Sequence, residues 1–359
     1  MANNISIASP IIGEEEKQAV MDVLDSGYLV QGPRVEGFEK SFAEYCDVKH
    51  AIASTNGTTA LTVALMSSGV EAGDEVIIPS FSFVATATSI LSANAVPVFV
   101  DIEPETFCMN PELIEAAITE KTKAIMPVHL YGHPADMPAI KAIADKHNLA
   151  IIEDAAQAHG AKIDGQPVGG WGMAAFSFYP SKNMTTGEGG MVTTNDDDLD
   201  KLARMVRNHG MSQQYLHEVV GFNFRMTNIM GAIGEVQLRR LPEWTEKRNA
   251  NASYFNANLT TVRPPITRNG CYHVYHQYTV VVPEGADRDG MVEELNNRGI
   301  GCRVYYPLPI HKQPIFLDDH THLDLPVTSN LTERVFSLPV HPNLSQEDVE
   351  RIVHEVNSL

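Results

Sequence analysis

The sequence predicts an α/β fold: a large domain on a mostly parallel, seven-stranded sheet flanked by helices, followed by a smaller C-terminal α+β domain. Three observations support this prediction. Short β-rich runs alternate with helical patterns between residues 50 and 210. Most of these runs consist almost entirely of apolar residues, which is typical of strands that are covered on both faces of a sheet. Beyond residue 241 the chain reads as a compact unit of mixed helices and strands.

Seven runs are predicted as the strands of the sheet. They are AIAS (51–54), EVIIP (75–79), VPVFVD (96–101), KAIMPVHL (123–130), LAIIED (149–154), AAFSFY (174–179) and GMVTT (190–194). Ligands of such sheets bind beyond the carboxyl ends of the strands, so we expect the chemistry in the loops that follow these runs.

The C-terminal unit follows a polar amphipathic helix predicted over residues 241–259, which we expect to link two domains. Its predicted elements are HQYTVVVP (276–283), DRDGMVEELNNRG (287–299), IGCRVYYP (300–307) and a last helix over 345–356, where Ser345 and Asp348 have the spacing of a capping box. We therefore predict a large domain over residues 1–245, including an N-terminal arm, and a small domain over residues 246–359.

The composition excludes several classes of protein. With 26 basic and 45 acidic residues the formal net charge is -19, which disfavours nonspecific binding of nucleic acid. We find no signal peptide and no apolar run of about 18 residues, so we expect no membrane span and a cytoplasmic location. The four cysteines lack a CxxC pair, which fits neither a disulfide framework nor a zinc site.

The first candidate element for chemistry is the stretch from Ser54 to Thr59, which leaves a strand and opens a helical pattern. A helix N-terminus offers unpaired N–H groups, Gly57 permits close approach of the backbone, and threonine hydroxyls add donors, so a phosphate fits here. A plain N-cap explains the same residues when they are taken alone. The stretch is neither a Walker loop nor a GxGxxG fingerprint.

The second element, from Glu153 to His159, follows an apolar strand. A carboxylate there is costly to bury unless it meets a cation or hydrogen-bond donors, and a protonated pyridine nitrogen would satisfy Asp154. A metal-ligand set or a helix cap is the alternative.

His159 either shapes this site or packs in the core. The spacing of His129 and His133 spans a strand end and a turn rather than a helix, which disfavours a metal site.

The third element, from Ser177 to Asn183, leaves another buried strand, contains Lys182 and precedes the glycine-rich TTGEGG. A lysine near the crevice, partly desolvated, favours the neutral nucleophilic amine. Alone, Lys182 is better explained as a solvated lysine. Together, a phosphate cradle, a pyridinium partner and a lysine nucleophile occur in the order and at the strand ends that pyridoxal phosphate requires.

Motifs along nearly the whole chain resemble the sugar aminotransferases of the DegT/DnrJ/EryC1/StrS family, a group of fold-type I pyridoxal-phosphate enzymes. The stretches that carry the resemblance include SNGTTAL, PSFSFVATATSI, PVFVDIEPETF, HLYGHPADM, IIEDAAQAHGA, SFYPSKNMTTGEGGM, GFNFRMTNIMGAIGEVQLRRL and YYPLPIHKQP. Taken together these stretches are highly specific.

The resemblance implies a role for individual residues. Lys182 matches the Schiff-base lysine, Asp154 the partner of the pyridine nitrogen, and Gln157 its neighbour at the ring hydroxyl. Ser177 and the Gly57, Thr58 and Thr59 turn match the phosphate binders, and Phe83 falls where the family stacks an aromatic ring on the cofactor.

The stretch GFNFRM is similar to one that crosses to the partner subunit in this family. The resemblance implies that Asn223 reaches the other cofactor's phosphate, in a homodimer with composite sites. Arg225, Tyr305 and Tyr306 resemble positions that contact the nucleotide end of the substrate.

The implied activity is transfer of an amino group from L-glutamate to a keto group of a nucleotide-linked deoxysugar. A dehydratase of the same family is one alternative, although a histidine replaces the lysine in those relatives. A pyridoxal-phosphate-binding regulatory protein without catalysis is another. The motifs disagree about the substrate: some resemble enzymes that aminate C4 of a GDP-linked sugar, whereas YYPLPIHKQP resembles enzymes acting at C3 of UDP- or dTDP-linked sugars.

Overall fold

The computed structural model describes residues 4–317 and 323–359, and within them seven strands form the central sheet. In chain order these strands are β1 (His50–Ser54), β2 (Glu75–Pro79), β3 (Val96–Val100), β4 (Thr122–Ile125), β5 (Ala150–Asp154), β8 (Met173–Ser177) and β9 (Gly190–Thr194). Two short strands, β6 (Lys162–Ile163) and β7 (Gln166–Pro167), lie outside this sheet.

The strand order is β1-β9-β8-β5-β4-β2-β3, and β9 alone within this sheet runs antiparallel to its neighbours. The carboxyl ends of the other strands therefore meet at one edge, together with the amino end of β9. The register places Gly190 opposite both Ser54 and Ser177 at this edge. The predicted mostly parallel sheet of seven strands is confirmed.

Both faces of the sheet are covered, which explains its apolar strands. On β1, Ile52 belongs to one core and its neighbours Ala51 and Ala53 to another on the opposite face. The predicted run 123–130 is too long, since β4 ends at Ile125. Pro127 follows two residues later and has no N–H for the ladder, and only an isolated bridge from Val128 to Asp154 continues the pairing.

Helices surround this sheet and continue into the C-terminal part. Those of the described ranges are α1 (Glu14–Ser26), α2 (Pro33–Tyr45), α3 (Gly57–Ser67), α4 (Ala85–Ser92), α5 (Met137–His147), α6 (Asp197–Arg207), α7 (Asn228–Asn258), α8 (Arg288–Asn297), α9 (Pro326–Arg334) and α10 (Gln346–Asn357). None of the described helices is both long enough and apolar enough to cross a membrane.

The longest of these helices, α7, corrects one prediction. The helix predicted over 241–259 begins at Asn228, because Thr227 caps it by accepting the N–H of Met230. The predicted domain boundary at residue 245 falls inside this continuous helix, and the division into two domains stays a prediction.

The C-terminal part has its own apolar core, to which Tyr278, Phe336 and Ile352 contribute. Its strands β13 (Tyr278–Val281) and β14 (Val335–Leu338) pair antiparallel. The predicted capping box is confirmed, since Ser345 accepts the N–H of Asp348 and Asp348 accepts that of Ser345.

Short strands complete the described fold: β10 (Met211–Gln213) pairs with β11 (Leu216–His217), and β12 (Cys271–Tyr272) with β6.

Candidate active site

The turn between β1 and α3 forms an anion cradle at the carboxyl edge of the sheet. Asn56 caps α3 by accepting the N–H of Thr59, and the Thr59 hydroxyl accepts the N–H of Asn56. The N–H groups of Gly57 and Thr58 have no acceptor among the described residues, so they remain for a ligand. The Thr59 hydroxyl also donates to the Asn56 carbonyl at 2.9 Å, which commits this side chain to the cap.

Gly57 lets this helix end approach Ser177 closely. A Cβ atom on Gly57 would lie 2.7 Å from the Cβ of Ser177, closer than side chains tolerate. The two free N–H groups and the Ser177 hydroxyl thus lie side by side. An N-cap alone does not need this proximity, whereas a phosphate bound by both does.

Asp154 ends β5 as a buried carboxylate. Its Oδ2 accepts the Thr86 hydroxyl at 2.8 Å and its Oδ1 the N–H of Ala156 at 3.2 Å. Burial raises the pKa of Asp154, while these two hydrogen bonds and the charge of Lys182 act in the opposite direction. The carboxylate has donors but no directly bonded cation among the described residues, so it can accept one from a ligand.

Lys182 is half-buried at the start of the glycine-rich turn, where its N–H donates to the carbonyl of Tyr179. Burial lowers the pKa of Lys182 to about 8, against the opposing attraction of Asp154. Its ammonium has no acceptor among the described residues. The lysine is therefore a candidate nucleophile, of which about a tenth is neutral at pH 7 and about half at pH 8.

Gln157 is held in one orientation beside Asp154. The N–H of Tyr131 donates to its Oε1 at 2.7 Å, and its Nε2 donates to the Tyr306 hydroxyl at 3.0 Å. Phe83 exposes 54% of its surface, and its ring centroid lies 5.9 Å from that of Tyr306.

One cavity of about 650 Å³ brings these groups together. The sequence-predicted residues that line it are Gly57, Thr58, Thr59, Phe83, Asp154, Gln157, Ser177, Lys182, Tyr305 and Tyr306. An anion cradle, a buried carboxylate and a lysine of lowered pKa that line one cavity are what pyridoxal phosphate needs for its phosphate, ring nitrogen and aldehyde.

A model of the DegT/DnrJ/EryC1/StrS aminotransferase family matches residues 10–357. The chain belongs to this family. The enzymes of the family depend on pyridoxal phosphate, and the free donors, carboxylate and lysine of the cavity fit that cofactor.

Three known proteins illustrate the similarity. "Pleiotropic regulatory protein" of Geobacillus stearothermophilus is 44% identical, over 96% of this chain and 95% of its own length. GDP-perosamine synthase of Caulobacter vibrioides is 42% identical, over 97% of this chain and 96% of its own. A crystal structure of S. venezuelae DesV in complex with a ketimine intermediate superposes with a TM-score of 0.92, at 40% identity, over 96% of this chain and 94% of that one.

Two predicted site residues of this family member lie away from the cavity lining. Asn223 is exposed, and its backbone forms a bridge with Asn208. Arg225 donates to the Asn208 side chain at 2.5 Å. Both residues therefore belong to the segment beside the end of α6 rather than to the cavity wall of their own chain.

Sequence reasoning missed Thr86 and His276 in this family member. Thr86 orients Asp154, and His276 lines the cavity. The Asn183 amide donates to the carbonyl of Val274 at 3.0 Å, so its oxygen faces His276 Nδ1 at 3.1 Å, and this nitrogen must carry the proton. The position of Thr86 in PSFSFVATATSI, one turn after Phe83, is the only signal that would have indicated it.

Three histidines considered as site residues from the sequence form contacts within the fold instead. His129 Nδ1 accepts the N–H of Ala135, so its Nε2 donates to the buried Glu153 at 3.0 Å. His133 Nε2 accepts the N–H of Arg268. His159 packs against the rings of Phe176 and Phe178, and burial lowers the pKa of His159 to about 3. Within the described ranges, no group of three histidine, cysteine or acidic side chains is placed to hold a metal ion.

Proposed function

We propose that this chain is a pyridoxal-phosphate-dependent aminotransferase that moves an amino group from L-glutamate to a keto group of a nucleotide-linked deoxysugar. The observation that carries the proposal is the single cavity in which Lys182, Asp154 and the Gly57 cradle meet. No two of these features are adjacent in sequence. Their convergence is what an intact cofactor site requires.

Each wall of the cavity would hold one part of the cofactor. Asp154 binds the ring nitrogen, Gln157 the ring hydroxyl, and Phe83 stacks on the ring. The N–H groups of Gly57 and Thr58 bind the phosphate together with the Ser177 hydroxyl. When bound, pyridoxal phosphate supplies an electron sink and a carrier for the amino group.

Lys182 has a second role as the proton carrier. With its pKa lowered to about 8, the amine can both accept and return a proton near neutral pH. It removes the proton from Cα of the amino donor in the first half-reaction. In the second half-reaction, it delivers a proton to the sugar carbon that receives the amino group. Two half-reactions in turn give ping-pong kinetics.

The substrate class rests on the family and on relatives such as GDP-perosamine synthase, whose name states a nucleotide-sugar product. A cavity of about 650 Å³ is of the size that small-molecule substrates occupy. Assaying GDP-, UDP- and dTDP-linked keto sugars with glutamate, and analysing the products, identifies the nucleotide and the position of amination. The cytoplasmic location stays a prediction.

A homodimer with composite sites is part of the proposal. Asn223 would complete the phosphate site of the partner subunit. The exposed position of Asn223 favours this role. The neighbouring segment also exposes apolar side chains, with Tyr215 82% and Val220 71% exposed. Such residues together favour burial against another chain.

The regulatory alternative is favoured by one observation, the name of the relative that is 44% identical. The presence of Lys182 does not separate the two functions, because a protein that only binds the cofactor would also use this lysine as its anchor. Adding L-glutamate to the loaded protein separates the two functions, since an aminotransferase loses its visible absorption and releases 2-oxoglutarate. A spectrum unchanged by glutamate would support the regulatory function.

Replacement of Lys182 by alanine tests the proposal directly. We expect Lys182→Ala to lose both the visible absorption of the lysine-bound cofactor and turnover. Lys162→Ala is the matched control, because Lys162 is exposed on β6 and lies outside the cavity lining. Borohydride reduction of the loaded wild type, followed by peptide mass spectrometry, should place the cofactor on Lys182. Turnover retained by Lys182→Ala would refute the assignment.

A further inference from the structure

Tyr306 lines the cavity, and its hydroxyl accepts a hydrogen bond from Gln157. We infer that the Tyr306 hydroxyl donates a hydrogen bond, beside that of Gln157, to the ring oxygen of bound pyridoxal phosphate. Tyr306 is then a cofactor-binding residue rather than a contact of the nucleotide. The inference rests on the proposed function, because it requires this cofactor in the cavity.

The orientation of Gln157 is the first step. Only an amide oxygen can accept the N–H of Tyr131, which fixes Oε1 toward Tyr131 at 2.7 Å. The NH₂ end therefore faces Tyr306 and donates one hydrogen to its hydroxyl at 3.0 Å. An amide nitrogen carries two hydrogens, so the second is left for a ligand in the cavity.

The Tyr306 hydroxyl is the second donor. Its oxygen accepts from Gln157, and no acceptor for its own proton is found among residues 4–317 and 323–359. Burial raises the pKa of Tyr306, and the nearby charge of Asp154 acts in the same direction, so the phenol keeps its proton. Both side chains line the cavity, and two donors thus stand next to each other on its wall.

Strand order indicates which ligand atom they meet. Asp154 ends β5, the phosphate cradle lies on the β8 and β1 side of it, and Gln157 is fixed to Tyr131, which follows β4 on the other side. In pyridoxal phosphate, the ring oxygen and the phosphate arm flank the aldehyde carbon on opposite sides. A ring held by its nitrogen at Asp154 and its phosphate at the cradle turns its oxygen toward Gln157 and Tyr306.

Two further contacts hold Tyr306 in place. The hydroxyl of Tyr131 donates to the carbonyl of Tyr305, so the residue that orients Gln157 also fixes the loop carrying Tyr306. The Tyr306 ring is tilted by 40° against that of Phe83, the side chain proposed to stack on the cofactor.

Replacement by phenylalanine removes only the hydroxyl. A donor stabilises negative charge on the ring oxygen and weakens its hold on the proton shared with the lysine nitrogen. Without the donor this proton leaves at higher pH. For Tyr306→Phe loaded with pyridoxal phosphate, we expect the midpoint of the visible pH titration to rise by about one unit, and the cofactor's dissociation constant by about tenfold.

Tyr305→Phe is the matched control, because the contact of Tyr305 with Tyr131 uses its backbone carbonyl. Its midpoint should equal that of the wild type. The other titratable side chains that line the cavity are Asp154, Tyr179, Lys182, Glu188, His276 and Tyr305. Wild type and Tyr306→Phe share all of these side chains. A difference between their midpoints therefore measures the effect of the Tyr306 hydroxyl.

An unchanged midpoint in Tyr306→Phe would overturn the inference. If the KM for the keto sugar rose several-fold at that unchanged midpoint, the two donors would serve the substrate instead, which also overturns it. A wild-type protein that takes up no pyridoxal phosphate would refute the proposed function itself. If the loaded wild type shows the visible pH titration and Tyr306→Phe has the same midpoint, only the inference about Tyr306 is refuted.

Discussion

The amine of Lys182 owes its reactivity to its surroundings. Burial lowers the pKa of Lys182 to about 8, so the fraction of neutral amine rises with pH through this value and then saturates. We expect the rate of pyridoxal-phosphate uptake by the cofactor-free protein to rise from about pH 6 and to level off above about pH 9. Stopped-flow absorption measures this rate. A rate still rising at about pH 10, as for a free lysine derivative, would contradict the lowered pKa.

Thr86 controls how Asp154 presents its carboxylate. Valine has nearly the same shape as threonine but cannot donate to Oδ2 of Asp154. We expect Thr86→Val to weaken pyridoxal-phosphate binding by at least about tenfold, since a hydrogen bond to a charged group contributes about 1.5–3 kcal/mol. Equilibrium dialysis measures the affinity.

The control for this change is Thr88→Val, on the same helix α4 but partly exposed. It should bind the cofactor like the wild type. Equal affinity in both variants would mean that the N–H of Ala156 suffices to orient Asp154.

The residues that sequence analysis identified share a recognisable position. Lys182, Asp154 and Ser177 each follow or end an apolar run, and the rule that ligands bind at strand ends selects them. Thr86 could not be selected in this way, because its role depends on a carboxylate 68 residues away across the sheet. The family resemblance assigns Tyr306 to the nucleotide end of the substrate. The contact of Tyr306 with Gln157 spans 149 residues, so no local sequence pattern indicates it.

At the scale of elements, the strands were predictable and the start of α7 was not. Two glycines, Gly231 and Gly234, weaken the helical signal before residue 241. In the fold they let α2 approach, because a Cβ on Gly231 would lie 2.8 Å from the backbone of Arg34 and one on Gly234 2.6 Å from the Phe38 ring. Packing between distant helices thus overrides local propensity.

The approach of α3 to β8 gives a prediction at the same scale. Gly57→Ala would bring a Cβ 2.7 Å from that of Ser177, so the helix end must shift and the cradle must open. We expect this variant to bind pyridoxal phosphate at least tenfold more weakly, while its affinity for pyridoxal, which lacks the phosphate, stays near that of the wild type. Fluorescence titration with the two ligands measures both affinities.

The ratio of these affinities is an internal control, since a general disturbance of the cavity would weaken both ligands alike. A proportional loss of both would contradict the assignment of the cradle to the phosphate.

At the scale of the whole molecule, one residue predicted to bind the cofactor's phosphate is missing from the cavity lining of its own chain. Asn223 lies on the exposed segment beside α6, whereas the other predicted phosphate binders line the cavity. No sequence pattern distinguishes a residue that serves its own chain from one that serves a partner. The position of Asn223 in the fold favours the second arrangement, which only an experiment on mixed subunits can decide.

Subunits that carry different substitutions provide that experiment. Lys182→Ala and Asn223→Ala chains should each form dimers of very low activity. In a mixed dimer with composite sites, the intact lysine of one chain meets the intact asparagine of the other at one of two sites. Random reassociation of equal amounts should therefore restore about a quarter of wild-type activity. If Asn223 served its own chain, every site would carry one substitution and mixing would restore none.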